Sequence, residues 1–254
     1  MTITIIGGGI IGLTTAFELT ERGESVHLID AETSDYGTAA DGTALYPAAS
    51  HYAGGMLAPI AEVQFQQDAL FPLMTASADA YPSLMGRLSR ATNLPAGYDT
   101  TGTLIIAADR ADAEHLQRTR AYYRDMNRPA DPVTPTQART LEPLLAPRIA
   151  GAVSIPSDLQ LHPRLMRRAL KDALTRRGVT FSTERVTDPD AGDIICTGLG
   201  ATLHGDYPLR PAAHPQACGA RLRELPPRLP DPPPGRGAVH RRDQPRRPPH
   251  AARH

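Results

Sequence analysis

Three glycines and one aspartate carry the spacing with the most chemical content. Gly7, Gly9 and Gly12 stand as G-x-G-x-x-G, and Asp30 lies eighteen residues beyond the last of them. Such a turn brings unpaired backbone N–H groups and the positive end of a helix dipole to a phosphate. In a dinucleotide site Gly7 permits the tight turn, Gly9 admits a close backbone approach to a pyrophosphate, and Gly12 lets the helix pack against its strands. Asp30 is placed to accept hydrogen bonds from a ribose hydroxyl, and its charge disfavours a 2′-phosphate there. A glycine-rich turn alone also suits a βαβ unit with no ligand. The agreement of turn, flanking elements and acid favours the dinucleotide reading.

Those residues need a strand, a turn, a helix and a second strand to position them. Thr2–Ile6 is a short β-branched apolar run, suited to a strand buried on both faces. Residues 13–22 carry Leu13, Ala16, Phe17 and Leu19 at helical spacing and stop at Gly23, a helix-ending residue. Ser25–Ile29 reads as the second strand, with Asp30 at its carboxyl end.

A chain of 254 residues is long enough for one large domain or two small ones. Its 27 Lys and Arg balance 27 Asp and Glu, so no nucleic acid or other acidic partner is expected. Cys196 and Cys218 are too few and too scattered for a disulfide framework or a zinc site. No metal site is expected, and a reducing, cytoplasmic setting suits this usage. No apolar run reaches membrane-spanning length. The apolar start lacks a charged region before it and is broken by glycines, so it does not read as a signal peptide.

Residues 31–49 read as a loop. They lead into Ala49-Ser50-His51-Tyr52-Ala53-Gly54-Gly55-Met56-Leu57-Ala58-Pro59, with Glu62 shortly after. Small residues at this density suit a backbone laid flat against a ligand, and they equally suit a tight interior crossing. The stretch resembles the second flavin-contacting segment of the glycine oxidase/D-amino-acid oxidase superfamily, A-S-x-x-A-G-G-M-L-A-P. The resemblance implies an α/β fold: a Rossmann-like FAD-binding domain from residues 1–75 and 150–205, and a partial α+β substrate domain over 76–149. It implies FAD held by Gly7, Gly9, Ile10, Ile11 and Gly12 in the turn, by Asp30 and Ala31 after the second strand, and by Ser50, Ala53, Gly54, Gly55 and Met56.

The resemblance continues to Pro211. A helix is expected over 66–91, a strand pair at Gly97-Tyr98 and 102–107, an amphipathic helix over 109–127, and a return near 141–152. Asp158 to Pro163 resembles a D-x-x-x-x-P element before a helix over 164–177, with His162 a loop or cap residue rather than a base. Strands are expected at 179–182 and 185–187. Val186 falls where the family places a valine near the adenine. Residues 193–198 resemble a strand ending in A-T-G, which implies that Thr197 and Gly198 approach the cofactor. Cys196 reads as a small core residue.

The activity implied is FAD-dependent oxidation of glycine or a small amino acid, as in the glycine oxidases of thiamine biosynthesis. A hydride passes from the substrate Cα to flavin N5, the imine hydrolyses to a keto acid and ammonia, and dioxygen reoxidises the flavin to give peroxide. The partners implied are the amino acid and dioxygen, with no nucleic acid or membrane; a homo-oligomer is left open. A D-amino-acid or sarcosine-type oxidase of the same fold, or a non-catalytic FAD-binding remnant, are the alternatives. No catalytic residue is assigned, because the family's substrate-binding groups come from a C-terminal third with no counterpart here, and impaired turnover is the expectation.

Residues 206–254 hold twelve prolines and ten arginines, with no Ile, Phe, Met, Lys, Ser, Thr or Asn. That composition predicts a disordered tail, unable to offset its ordering entropy by apolar burial. An arginine-rich polyanion-binding tail, a proline-rich interaction tail and an out-of-frame translation are the three readings. The single lysine, Lys171, against 26 arginines implies GC-rich coding, and the change comes in mid-motif. Both favour the third.

Overall fold

The computed structural model describes residues 1–31, 49–63, 69–186, 188 and 192–198. The expectations for most of the loop over 31–49, the start of the helix over 66–91, Thr187 and everything from residue 199, including the arginine- and proline-rich tail, lie outside the described residues. Among the described residues, Met1–Gly102 and those from Ser157 onward form one compact unit, and Thr103–Pro156 form another.

In the first unit a parallel sheet carries the chemistry. β1 (Thr2–Ile6) pairs with β2 (Ser25–Ile29) on one side and β9 (Ile194–Ile195) on the other, and β2 pairs with β8 (Thr180–Ser182). The order β8-β2-β1-β9 makes the carboxyl end of β1 a topological switch point, where open α/β sheets bind ligands. Ile5, Val26 and Leu28 are buried because the helices α1 (Ile10–Glu21), α3 (Phe71–Ala91) and α6 (Pro163–Arg176) pack their apolar stripes into one core with the sheet, and Ile6 and Ile29 are buried at its carboxyl end. On α6 that stripe runs Met166, Ala169, Leu170, Ala173 and Leu174. Outside the core, Glu18 and Glu21 of α1 pair with Arg87 of α3 and with Arg177 just after α6. A short helix, α2 (Ala49–Tyr52), and a two-residue strand, β3 (Met56–Leu57), complete the second segment. β3 pairs antiparallel with β7 (Leu159–Gln160).

The second unit is an antiparallel sheet of β4 (Thr103–Ala107), β6 (Gly151–Ile155) and β5 (Asp131–Val133), in the order β4-β6-β5. Helix α4 (Arg110–Asp125) starts where the Asp109 carboxylate accepts from the Asp112 N–H at 2.9 Å, and it buries Leu116 and Tyr123. Helix α5 (Pro135–Leu141) starts with a capping box between Thr134 and Gln137.

The described fold is the expected mixture of a parallel Rossmann-like unit and a smaller α+β unit. Leu84, Met85 and Leu88 of α3 belong to the core of the first unit, and the two compact units meet at 102/103 and 156/157 in the chain. Two local expectations change. Gly97-Tyr98 is no strand partner of 102–107: Asp99 bridges Gln160, and β4 pairs with β6 instead. Arg185 and Val186 form no strand, since β2 ends at Ile29 and offers β8 no partner past Ser182.

Candidate functional site

The turn between β1 and α1 places four glycines under different constraints. Gly7 has φ +109°, a conformation that favours glycine, and a Cβ there would meet the Cys196 carbonyl oxygen at 2.3 Å. At Gly12 a Cβ would meet the Gly7 carbonyl oxygen at 1.9 Å, so this glycine sets how closely α1 approaches the end of β1. Gly9 is the contrasting case. A Cβ there would meet only the Ser50 Oγ, at an ordinary 3.8 Å, and the space beyond is open. Gly8, one of the unspecified positions of the motif, is close to a side chain rather than to backbone: its Cβ would fall 2.3 Å from Asp30 Oδ2, so any larger residue there would displace that carboxylate.

That contact exists because the Gly8 N–H donates to Asp30 Oδ2 at 2.7 Å. Asp30 thus stands at the mouth of the turn, with Ala31 beside it, and its backbone N–H continues the sheet by donating to Ser182 at 3.0 Å. The Gly8 carbonyl accepts from the Arg167 guanidinium on α6 at 3.4 Å. A cavity of about 440 Å³ opens at the carboxyl ends of β2 and β8, lined by Gly8, Asp30, Arg167, Lys171, Ser182 and Thr183 among others.

The second segment reaches the same turn. Ser50, buried on α2, accepts from the Ile10 N–H at 3.0 Å and so caps the first residue of α1 from forty positions away. Gly54 is open, whereas Gly55 has φ +81° and its Cβ would meet the Leu161 carbonyl oxygen at 1.9 Å. One glycine of the pair therefore fits the backbone against the strand before α6, and the other presents bare backbone outward. Ala53 is exposed, and Met56 and Ile11 are 60% and 69% exposed despite their apolar side chains. Behind this segment the wholly buried Asp158 accepts from the N–H groups of Ile60 and Ala61 at 3.2 and 3.1 Å, which holds the turn after β3. Glu62 follows, its carboxyl pushed above the usual range by burial.

On the other flank the Cys196 N–H donates to the Ile6 carbonyl at 2.7 Å, which brings Thr197 alongside Gly7. Thr197 Oγ1 is buried and meets no hydrogen-bond partner among the described residues. Gly198 follows with φ +56°. The Cys196 thiol is pushed up by burial, so it stays protonated and acts as packing. His162 is the N-cap of α6, with Nδ1 accepting from the Leu165 N–H at 3.4 Å. Val186 stands four residues past β8, half-buried and outside the cavity lining.

This arrangement suits a diphosphate-bearing nucleotide. Helix α1 has no acid in its first turn and no side-chain cap from Gly9, and its Ile10 N–H is taken by the neutral Ser50 hydroxyl, so no charge in that turn offsets the positive end of the helix. The open face of Gly9 admits close approach, and the Thr197 hydroxyl has a hydrogen bond that none of the described residues takes up. Ile10, Ile11, Ser50 and Thr197 are therefore brought together around Gly7–Gly12. Reading the sequence missed Gly8 and Arg167. An arginine on the apolar stripe of α6, three and seven residues before Leu170 and Leu174, was the available signal for the second.

Comparison with known proteins agrees with this geometry. The profile of the DAO family, described as FAD dependent oxidoreductase, matches residues 2–244 and so extends past Pro211. A glycine oxidase of Geobacillus kaustophilus is 31% identical over 177 residues, 69% of this chain and 44% of its own length. A bifunctional protein ThiO/ThiG of Trichormus variabilis is 30% identical over 181 residues, 71% of this chain and 25% of its own. The crystal structure of glycine oxidase from Geobacillus kaustophilus superposes with a TM-score of 0.61 at 30% identity, covering 73% of this chain and 47% of that one. The chain thus spans less than half the length of these relatives. With the family's profile matching residues 2–244 and a glycine turn at the switch point of its parallel sheet, the chain belongs to the DAO family of FAD dependent oxidoreductases.

Proposed function

We propose that this chain carries the FAD-binding part of an amino-acid oxidase acting on glycine or a similarly small amino acid with dioxygen, in the manner of the glycine oxidases of thiamine biosynthesis. The observation that carries the reading is the convergence of the Gly7–Gly12 turn, Asp30, Ser50 and Thr197 at the switch point of one parallel sheet. FAD, when bound, supplies the acceptor for the two electrons and the hydrogen leaving the substrate carbon. The protein's own work is placement. The N-terminus of α1 and the backbone around Gly9 hold the diphosphate, Asp30 and Ala31 face the adenosine sugar, and Thr197 and Gly198 close the other flank. Ala53, Gly54, Gly55 and Met56 offer backbone and apolar surface toward the flavin, and Val186 the adenine end. The names of the relatives above support the substrate class, and the scattered cysteines support a cytoplasmic setting.

The test is direct. The full chain is purified, its visible absorption is recorded with and without added FAD, and peroxide is measured with glycine, sarcosine and D-alanine. A yellow protein that forms peroxide fastest from glycine supports the proposal. Preference for D-alanine or sarcosine moves the substrate within the family, and a yellow protein without peroxide leaves a nucleotide-binding role alone. A colourless protein that takes up no FAD refutes the reading of the site.

A further inference from the structure

We propose that Arg167 is a positioning residue for the nucleotide turn, holding the Gly8 carbonyl while Asp30 holds the Gly8 N–H, so that the neighbouring N–H groups keep their aim. This rests on the reading of the turn as an FAD site. The geometry is specific: Gly8 gives its N–H to the Asp30 carboxylate at 2.7 Å and receives the Arg167 guanidinium on its carbonyl at 3.4 Å. The two peptide units that flank the Gly8 Cα are therefore held by opposite charges from two elements, the end of β2 and the middle of α6. A Cβ at Gly8 would displace the carboxylate and loosen this hold.

Burial makes the arginine conspicuous. Arg167 is 9% exposed and is the one buried cation among the described residues. It sits on the face of α6 that otherwise buries Met166, Ala169, Leu170, Ala173 and Leu174. A leucine or methionine at that position would bury apolar area without the desolvation cost of a guanidinium. Breaks in the local pattern of a helix are expected where a site, rather than the fold, dictates the residue. The same arginine shares a cavity wall with Gly8 and Asp30, where its positive charge adds to the field felt by a diphosphate.

The experiment compares wild type, Arg167→Met and Arg167→Lys of the full chain. Each is titrated with FAD by quenching of flavin fluorescence, and with ADP and adenosine by calorimetry. Each unliganded protein is also melted by circular dichroism. Arg167→Met is expected to weaken FAD and ADP by about tenfold or more, the loss for a hydrogen bond to a charged group. Adenosine, which lacks phosphate, should change by less than about twofold, and the unliganded melting temperature should hold or rise. Arg167→Lys keeps the buried charge without the fork geometry and should lie between the two. If Arg167→Met does not fold, Arg167→Lys reads the same ADP-selective loss at smaller size. Unchanged ADP affinity, or equal losses of ADP and adenosine with a lowered melting temperature, overturns the proposal. A wild type that binds neither FAD nor ADP overturns the reading of the site, and this inference with it.

Discussion

Separate alanine substitutions at Gly9 and Gly12 should split binding from folding. At Gly12 the added Cβ would lie 1.9 Å from the Gly7 carbonyl oxygen, a backbone atom that cannot rotate away. The helix has to lift off the end of β1 by roughly an ångström, and overpacking of that kind costs about 1–3 kcal/mol. For a chain of this size that corresponds to a melting temperature lower by about 2–12 °C. At Gly9 the backbone has φ −69° and ψ −180°, which alanine adopts freely, and the new methyl meets only the Ser50 oxygen at 3.8 Å. The cost to the unliganded protein is then about 0.5–1 kcal/mol, from exchanging glycine for alanine at an N-cap. A diphosphate approaching that face would be pushed back by about the width of a methyl and would lose a charge-assisted hydrogen bond of about 1.5–3 kcal/mol. FAD affinity should fall by about 10- to 150-fold. Melting curves by circular dichroism and titration of flavin fluorescence read the two quantities independently. A Gly9→Ala protein that binds FAD like wild type, or a Gly12→Ala protein as stable as wild type, would refute the assignment of one glycine to the ligand and the other to packing.

Asp158→Asn should lower the urea midpoint, with the slope unchanged, by a stability loss of about 2 kcal/mol, because a buried carboxylate that accepts from Ile60 and Ala61 loses its charge. Asp172 has its carboxyl held below the usual range by the Thr92 hydroxyl and then by Arg176, so it stabilises the fold above its ordinary value. That stabilisation is lost as pH falls from about 4 through the lowered folded value. Asp172→Asn should therefore reduce the urea midpoint at pH 7 and have little effect near pH 2. In the second unit Thr134→Ala removes the capping box of α5, at a cost of about 1 kcal/mol. Hydrogen exchange of the α5 amides should then speed up about fivefold while the first unit is unaffected.

Much of the site's frame was legible locally. β-branched runs, the apolar spacing of 13–19 and the glycines after each helix mark β1, α1, β2 and α6 closely, because these signals act within a few residues. Local signals also misled. Gly97-Tyr98 carries strand-like residues, yet the segment 97–99 lies against the start of α6, where a Cβ on Gly97 would meet the His162 Cβ at 2.5 Å. Val186 looked like part of a strand, and among the described residues no partner strand reaches it.

The sequence by itself determined the turn, its glycine spacing and the acid that follows, since strand, turn and helix preferences are encoded residue by residue. Tertiary structure alone decided what surrounds that turn. Ser50 reaches Ile10 across 40 positions, Arg167 reaches Gly8 across 159, and Thr197 is brought to Gly7 by the pairing of β9 with β1. Those partners are chosen by which buried faces pack together, and a linear pattern carries no record of the distances that packing creates.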